Sequence, residues 1–263
     1  MASILDLLKG LTGCSVTQRI KQVKQPRGGY INPREMETIE LGEGADSLNP
    51  DENVHASLVG LAVDYLTRFE LGSPAEEAFH ISLLGAKLIK ETRNAERLVA
   101  GIKGIDDKSI INAVKLSGYD VCYRAGVMGY RPVSEIKPDK ATIANIRTMV
   151  ERALNFFKQY GEKVLDGFTF EGGYTNVVSS GDGDFTTSDT LWDFKVSKTK
   201  PKKEHTLQLL MYWRMGLHSI HSEFKDIQYL GIYNPRLNVV YRISVNKIPV
   251  NVIEEVEHDV IGY

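Results

Sequence analysis

The stretch that decides the fold of this 263-residue chain is "GDGDFTTSDTLWDFKVSK", residues 181–198. It begins with a glycine-rich turn that contains two aspartates, and it ends in an apolar strand pattern that contains Asp193 and Lys195. An acid and a lysine at this spacing form either an ordinary surface ion pair or a site for a metal ion and a phosphate. The same spacing occurs at three other places in the sequence, so the spacing alone does not decide between the two.

The strand pattern distinguishes this acid and lysine from the other three pairs. Successive side chains of a strand alternate between its two faces, so Trp192, Phe194 and Val196 are predicted to enter the core. Asp193 and Lys195 then lie together on the opposite face. Because burying unpaired charges costs on the order of several kcal/mol, we expect a further charged group beside them.

Asp184 is the predicted partner, since it ends or lines the preceding strand. An antiparallel hairpin would place its carboxylate beside that of Asp193, and the two would repel. A hard cation such as Mg²⁺ removes this repulsion, and it is typically held by one or two carboxylates, water and substrate phosphate. Such a cation lowers the pKa of bound water and stabilises charge in phosphoryl transfer. Lys195 would orient or deprotonate that water, or hold the phosphate.

Composition indicates an ordinary globular protein of one large domain or two small ones, with 42% hydrophobic and 25% charged residues. A net charge of -2 argues against a broadly basic nucleic-acid coat but is compatible with a local basic cleft. Cys14 and Cys122 are too few for a disulfide framework, so we expect a reducing, cytoplasmic setting. No segment has the length of a membrane span, and we expect no membrane partner.

The sequence before residue 140 divides into two parts. Residues 1–50 are polar and rich in turn-forming residues, and they are predicted to form an irregular N-terminal arm. Residues 51–135 have apolar positions at three- and four-residue spacing, which predicts a helical region packed on the core. Its predicted helices are 53–69, a segment capped by Ser73 with Pro74 in its first turn, and shorter pieces within 92–126.

Residues 140–263 combine helices and strands. An amphipathic helix ends at Gly161, three strand candidates follow, and a second helix leads to strands around Pro235. The three strand candidates are 165–172, 175–186 and 190–197. This order predicts an α/β fold with a mixed central sheet and flanking helices, preceded by the N-terminal helical region.

The second helix of this part contains two polar side chains one turn apart, Gln208 and Tyr212. Both project from one helical face and can reach the cleft beside the sheet. A core aromatic is the ordinary interpretation of Tyr212, but Gln208 in so apolar a stretch is harder to explain in that way. The basic run that includes Lys198 is either a solvated loop or a surface that steers a phosphate backbone into the cleft.

The segments "GD", "DFK" and "QLLMY", in this order of elements, resemble the PD-(D/E)XK nuclease superfamily, in particular its RecB-type and lambda-exonuclease-type members. The resemblance covers residues 140–235 and implies a restriction-endonuclease-like core. It implies that Asp184 and Asp193 are the metal-binding acids and that Lys195 is the catalytic lysine. It further implies a metal ligand in the Phe194 carbonyl, and a helix that supports the site and contacts the nucleic-acid backbone through Gln208 and Tyr212.

Two features depart from the family pattern. Gly183 stands where the family's name has proline. RecB-type members often have a glycine-x-x-x-histidine helix whose histidine binds metal, and its nearest match here has Asp64 in place of histidine. Glu151 and Glu171 are the competing candidates for an upstream metal-binding acid.

The resemblance implies a Mg²⁺-dependent nuclease, with Mn²⁺ able to substitute, that hydrolyses phosphodiester bonds in DNA. Cleavage at ends or within strands is left open, and a homo-oligomer is compatible. Two alternatives stay open: a nuclease that acts on RNA, and a non-catalytic module that binds nucleic acid or a protein on the same fold. A calcium loop from Asp182 to Asp193 is disfavoured, because Thr187 and Asp193 stand where an EF-hand has glycine and glutamate.

Overall fold

The computed structural model describes residues 13–42 and 47–263. Its strands are β1 (Cys14–Ser15), β2 (Glu37–Glu40), β3 (Leu165–Thr169), β4 (Val178–Ser180), β5 (Asp182–Thr186), β6 (Thr190–Phe194), β7 (Tyr229–Asn234) and β8 (Val239–Ser244). Its α-helices are α1 (Val16–Gln22), α2 (Ala56–Glu70), α3 (Ala75–Ala78), α4 (His80–Leu88), α5 (Thr92–Ala100), α6 (Asp107–Ser117), α7 (Asp120–Arg124), α8 (Lys140–Tyr160), α9 (Lys203–Leu217) and α10 (Val250–Glu255). None of these helices is both long and apolar enough to cross a bilayer.

A six-stranded mixed sheet lies at the centre of the fold, in the order β2-β8-β7-β6-β5-β3. Strands β6 and β7 are parallel, and the other neighbouring pairs of this sheet are antiparallel. Strands β1 and β4 form a separate two-stranded parallel pair. The prediction of an α/β fold with a mixed central sheet is confirmed.

Helix α8 packs on one face of the sheet through aromatic contacts. The Phe156 ring stacks on Tyr233 with centroids 4.1 Å apart and meets Trp192 edge to face at 4.9 Å. Such pairs stabilise a core beyond the area that they bury. The helix begins where the Asp139 side chain accepts a hydrogen bond from a first-turn backbone N–H, and it ends at Gly161 with a φ of 96°. The predicted stop at Gly161 is therefore confirmed.

Helix α9 covers the opposite face of the sheet. Its buried Leu207 and Leu210 share a core cluster with Leu191 of β6 and Leu230 of β7. Leu191 and Trp192 are neighbours in β6, and they enter the cores on opposite faces, as strand alternation requires. The face that Leu191 shares with Asp193 is thus the face toward α9.

The described part of the predicted irregular arm contains two short strands, β1 and β2, and helix α1, with irregular segments between and after them. A capping box at Ser15 and Gln18 starts helix α1, which packs against α9. Strand β2 adds an edge to the sheet beside β8, and in its polar sequence "ETIE" only Ile39 is apolar. One apolar residue gives no alternation to detect, which is why the sequence predicted no strand there. The remaining residues of the predicted arm, 1–12 and 43–46, lie outside the described residues.

Helices α2 to α7 form the helical region, with a buried cluster that also includes Ile146 and Val150 of α8. The predicted helix after Ser73 is divided at Phe79 into α3 and α4, and Pro74 is the N-cap in place of Ser73. Phe79 is fully buried and meets the ring of Tyr65. The break in the helix thus coincides with the burial of this ring in the helical core.

A buried ion pair joins the segment before α2 to the end of β7. Arg236 donates from both terminal nitrogens to the two carboxylate oxygens of Glu52, each at 2.9 Å. Asn145 of α8 donates to the same carboxylate at 2.9 Å. Bidentate pairs of this kind are the most directional that carboxylates form, so they fix the helical region against the sheet.

The three predicted strands are shorter than their sequence patterns. The candidate 175–186 is divided into β4 and β5, and β6 ends at Phe194, one residue before Lys195. The Lys195 N–H nevertheless donates to the Tyr233 carbonyl at 2.9 Å, so its backbone still follows the sheet. Gly183 pairs with Phe168 of β3, and a Cβ at Gly183 would overlap that ring. Glycine at this position leaves the Phe168 ring the space that a side chain would occupy.

Candidate functional site

The β5–β6 hairpin brings the two predicted acidic residues face to face. Its register pairs Phe185 with Trp192, and continuing it by one position sets Asp184 opposite Asp193. The rings of Phe185 and Trp192 lie on the α8 face of the sheet. The two carboxylates therefore lie on the other face, toward α9.

Short polar contacts connect the acidic pair to Lys195. The Lys195 Nζ lies 2.8 Å from Asp193 Oδ1, and the Phe194 N–H donates to Asp184 Oδ2 at 2.7 Å. Asp193 is almost fully buried, whereas the Lys195 side chain is 30% exposed. The second carboxylate oxygen, Asp193 Oδ2, is buried and has no hydrogen-bond partner in the described chain. Leaving such an oxygen unpaired costs about 1–3 kcal/mol or more.

The electrostatics of this pair favour a cationic lysine. Burial and the negative charge of Asp193 raise the pKa of Asp184 to about 7. Burial lowers the pKa of Lys195, but the carboxylates of Asp193 and Asp184 raise it by more, and the net shift is upward. A lysine so held stays charged at neutral pH, which favours the role of holding a phosphate or orienting water over that of a base.

A cavity of about 980 Å³ opens beside the acidic pair. Its lining includes Asp184 from β5 and both Gln208 and Tyr212 from α9. Asp193 and Lys195 are not part of the lining; Asp193 is buried, and Lys195 is paired with it. The structure thus brings six of the predicted residues together beside the sheet: Asp184, Asp193, Phe194, Lys195, Gln208 and Tyr212.

The structure separates the three candidates for an upstream acid. Asp64 of α2 lines the cavity, and its charge acts on both Asp184 and Lys195. Glu151 is exposed on α8, and Glu171 is exposed in the loop after β3. Neither Glu151 nor Glu171 lines the cavity, so Asp64 is the candidate that the fold places near the acidic pair.

Gln208 and Tyr212 form a hydrogen-bonded pair in the cavity wall. The Gln208 amide donates to the Tyr212 hydroxyl at 2.8 Å, and the Tyr212 ring stacks on Phe170 with centroids 4.9 Å apart. Burial raises the pKa of Tyr212, and the charges of Asp193 and Asp184 raise it further. The Tyr212 ring is therefore part of the core, and its protonated hydroxyl lies at the cavity. Both interpretations of this residue, as a core aromatic and as a polar group at the cleft, agree with the structure.

Lys198 does not line this cavity. Its side chain is exposed, and its Nζ donates to the Pro50 carbonyl at 3.2 Å. Lys200 and Lys202 of the same run are also exposed, and Lys203 is partly exposed at the start of α9. The run has the geometry of a solvated loop beside the site, and substrate binding by Lys198 stays a prediction.

Several charged residues of the cavity have no counterpart in the sequence prediction, among them Arg68, Arg124 and Asp166. Arg68 lies 3.0 Å from Asp64 and 3.6 Å from Asp166, and Arg124 projects into the cavity from α7. The four-residue spacing of Asp64 and Arg68 is a local signal that could have identified Arg68. Asp166 and Arg124 reach the cavity through long-range packing, for which the sequence contains no comparable signal.

The oxygen donors of the acidic pair fit a hard cation. Within residues 13–42 and 47–263, no three His, Cys, Asp or Glu side chains converge closely enough to form a complete metal site. Mg²⁺ does not require one, because it retains several waters and is usually held by one or two carboxylates. The buried Asp193 Oδ2 accepts no hydrogen bond from the described residues, so it is a candidate oxygen ligand for a metal ion. Asp184, Asp193 and the Phe194 carbonyl are the residues that would hold the ion.

Comparison of the chain with protein-family models, with curated proteins and with solved structures finds no match. The function therefore has to follow from the chemistry of the site and from the three motif segments of the sequence. In the fold, "GD" and "DFK" lie on the paired strands β5 and β6, and "QLLMY" lies on α9 beside them.

Proposed function

We propose that this chain is a divalent-metal-dependent nuclease that hydrolyses phosphodiester bonds, with DNA as the expected substrate, as the resemblance to PD-(D/E)XK nucleases implies. The observation that supports this most directly is the arrangement of Asp184, Asp193 and Lys195. Two carboxylates face each other across a hairpin, a lysine neutralises one oxygen, and a second buried oxygen has no partner. A surface ion pair needs neither the burial nor the facing acid.

The acidic pair would hold Mg²⁺, or Mn²⁺ in its place. When bound, the ion supplies a Lewis acid for the phosphate and a water of lowered pKa. Asp193 would contribute the oxygen that has no other partner. Asp184 would contribute a carboxylate whose pKa is raised first by burial and then by the negative charge of Asp193. A cation bound between the two carboxylates would therefore offset their mutual repulsion, which neither carboxylate can do for the other.

Lys195 and the α9 pair position the substrate in this proposal. The Lys195 ammonium is a positive charge beside the acidic pair, outside the cavity lining, and it would hold the scissile phosphate or orient the attacking water there. Gln208 and Tyr212 present an amide and a hydroxyl to the cavity, and groups of this kind contact sugar-phosphate backbone without reading sequence. The site is thus suited to a phosphodiester irrespective of its bases.

The test is incubation of the protein with linear DNA, circular DNA and RNA, each in Mg²⁺, Mn²⁺ or EDTA. Cleavage in the metal ions and none in EDTA is expected, and Asp193→Ala and Lys195→Ala should each abolish it. Lys225→Ala is the matched control, because exposed Lys225 belongs to an acid-x-lysine triplet outside the site. Cleavage that persists in both site variants would defeat the proposal.

The choice of substrates decides what the proposal leaves open. Cutting of circular DNA would establish internal cleavage, and cutting of linear DNA alone would indicate action from ends. Preference for RNA would correct the substrate while keeping the chemistry. If the wild-type protein binds nucleic acid in EDTA and cuts nothing in either metal ion, the chain is a binding module on this fold and not a nuclease.

A further inference from the structure

The lining of the cavity is strongly acidic. Carboxylates outnumber guanidinium groups among its described residues: the former are Asp64, Glu76, Glu77, Asp166, Asp182 and Asp184, and the latter are Arg68 and Arg124. A phosphate that enters such a cavity is repelled unless a positive charge meets it. Arg68 is already engaged, since Asp64 and Asp166 both lie within ion-pair distance of its guanidinium.

Arg124 is the arginine of this lining whose side chain stays half-exposed. Its side chain is 51% exposed and projects from the end of α7 into the cavity. Its Nε lies 3.5 Å from Asp120 Oδ2, and no other carboxylate of the described chain is within ion-pair distance. The Nε edge of the guanidinium is thus held by Asp120, and the side chain as a whole stays half-exposed.

Asp120 is built to hold this arginine in place. Its carboxylate is buried, and it accepts hydrogen bonds from the Tyr65 hydroxyl at 2.6 Å and from the Ser82 hydroxyl. Helix α7 itself lies directly against α4, because a Cβ at Gly85 would overlap the Tyr119 carbonyl. A fixed acid on a fixed helix orients the planar guanidinium, whose donors match the oxygens of a phosphate.

We propose that Arg124 binds a phosphate group of the nucleic-acid strand at the helical wall of the cavity and that Asp120 is its positioning residue. The identity of this ligand rests on the proposed function. The helical region then contributes directly to substrate binding, and the acidic pair of the sheet contributes the chemistry. The phosphate is either an internal phosphodiester or a terminal phosphate, and both would meet the same donors.

Binding of a fluorescent oligonucleotide, measured by anisotropy in EDTA and in Ca²⁺ with product analysis, tests this without turnover. Arg124→Ala should weaken binding about tenfold or more and reduce the salt dependence by about one charge. Arg124→Lys should keep the salt dependence but not the full affinity, because lysine lacks the planar fork. Arg97→Ala, which removes an exposed arginine outside the cavity, is the matched control and should change neither quantity.

Asp120→Asn separates positioning from folding. It should weaken binding while leaving the salt dependence unchanged, because the arginine charge remains. A purely structural role would lower the melting temperature without changing affinity measured well below that temperature. Unlabelled circular and linear strands as competitors distinguish the two phosphates, since a circle competes fully for an internal site and poorly for a terminal one.

The outcomes distinguish this inference from the proposed function. If the wild type cleaves DNA and Arg124→Ala matches Arg97→Ala in affinity and salt dependence, the inference is overturned and the nuclease stands. If nothing is cleaved but Arg124→Ala still weakens binding selectively, the nuclease fails and the phosphate site stands. If the wild type neither binds nor cleaves any nucleic acid, both fail.

Discussion

Asp120 in the helical region and Asp193 in the sheet are buried to the same degree, with 2% and 1% exposure. Asp120 accepts hydrogen bonds at both oxygens, whereas Asp193 has one oxygen without a partner among the described residues. A buried carboxylate whose oxygens all accept hydrogen bonds contributes to stability or positions a neighbour. A buried carboxylate oxygen without a partner lowers the stability of the fold. Burial alone therefore does not distinguish a structural acid from a candidate metal ligand, whereas the remaining hydrogen-bonding capacity of the carboxylate does.

The two aspartates differ because of what their elements place beside them. Hydroxyl groups from α2 and α4, those of Tyr65 and Ser82, converge on Asp120. The hairpin register instead sets a second carboxylate, Asp184, opposite Asp193. A facing acid can donate no hydrogen bond while it is ionised, and the proposed function supplies a cation as the missing partner.

The largest expected effect is on catalysis at the unsatisfied acid. Asp193→Asn should lower the single-turnover rate of cleavage in Mg²⁺ about a thousandfold, because the amide neither carries the charge nor offers the second oxygen to the ion. Asp120→Asn is the comparison variant and should lose less than about tenfold in the same assay. Equal losses in the two variants would remove the distinction between them.

The next effect is on stability at the satisfied acid. Asp120→Ala should lower the free energy of unfolding by about 3 kcal/mol, because two buried hydroxyls lose their acceptor and Arg124 loses its carboxylate. Urea denaturation followed by circular dichroism measures this. Asp107→Ala is the control: its side chain is 70% exposed and paired with Arg147, so it should cost less than about 1 kcal/mol. Equal losses would contradict the assignment of Asp120.

A smaller effect should appear in the pH dependence of metal binding. The pKa of Asp184 is raised to about 7, so the carboxyl is protonated below that pH and must release its proton before it binds a cation. The affinity for Mg²⁺ should therefore fall about tenfold for each unit below pH 7 and level off above it. Isothermal titration calorimetry measures this, and Asp184→Asn should abolish the dependence. An affinity that is constant from pH 5 to 8 would refute the expectation.

The smallest effect concerns the stability of the metal-free protein. Because the pKa of Asp184 is raised in the fold from 3.8 to about 7, the stability that its proton contributes is present below the unfolded value and lost as the pH rises through about 7. In EDTA at pH 8, Asp184→Asn should raise the melting temperature by about 3 °C. The difference should narrow as the pH is lowered to 5, and it should vanish only below the unfolded pKa of 3.8. A variant that melts lower at pH 8 would contradict this sign.

The strand period and the glycine turn were sufficient to predict the centre of this arrangement. A period of two sets Asp193 and Lys195 on the face opposite Trp192, and a hairpin then brings Asp184 beside them. The local sequence determines these positions, because only a few residues separate the paired strands. The structure agrees with this geometry, while the roles of the residues stay predictions.

The helical wall could not be predicted in the same way. Arg124 reaches the cavity because α7 packs on α4, and Asp166 reaches it because β3 pairs with β5. Both depend on contacts between distant parts of the chain, which no local pattern encodes. The edge strand β2 escaped prediction for a different reason: its side chains are mostly polar, and its pairing partner lies some two hundred residues away.

Gly85 controls the distance between α4 and α7 through packing alone, without any charged group. Its missing side chain is the space that the Tyr119 carbonyl occupies, so the spacing between α4 and α7 is set by main chain meeting main chain. A single methyl group at residue 85 would push α4 and α7 apart and displace Arg124, the last residue of α7. Gly85 does not line the cavity, yet it sets the position of the helix that bears Arg124.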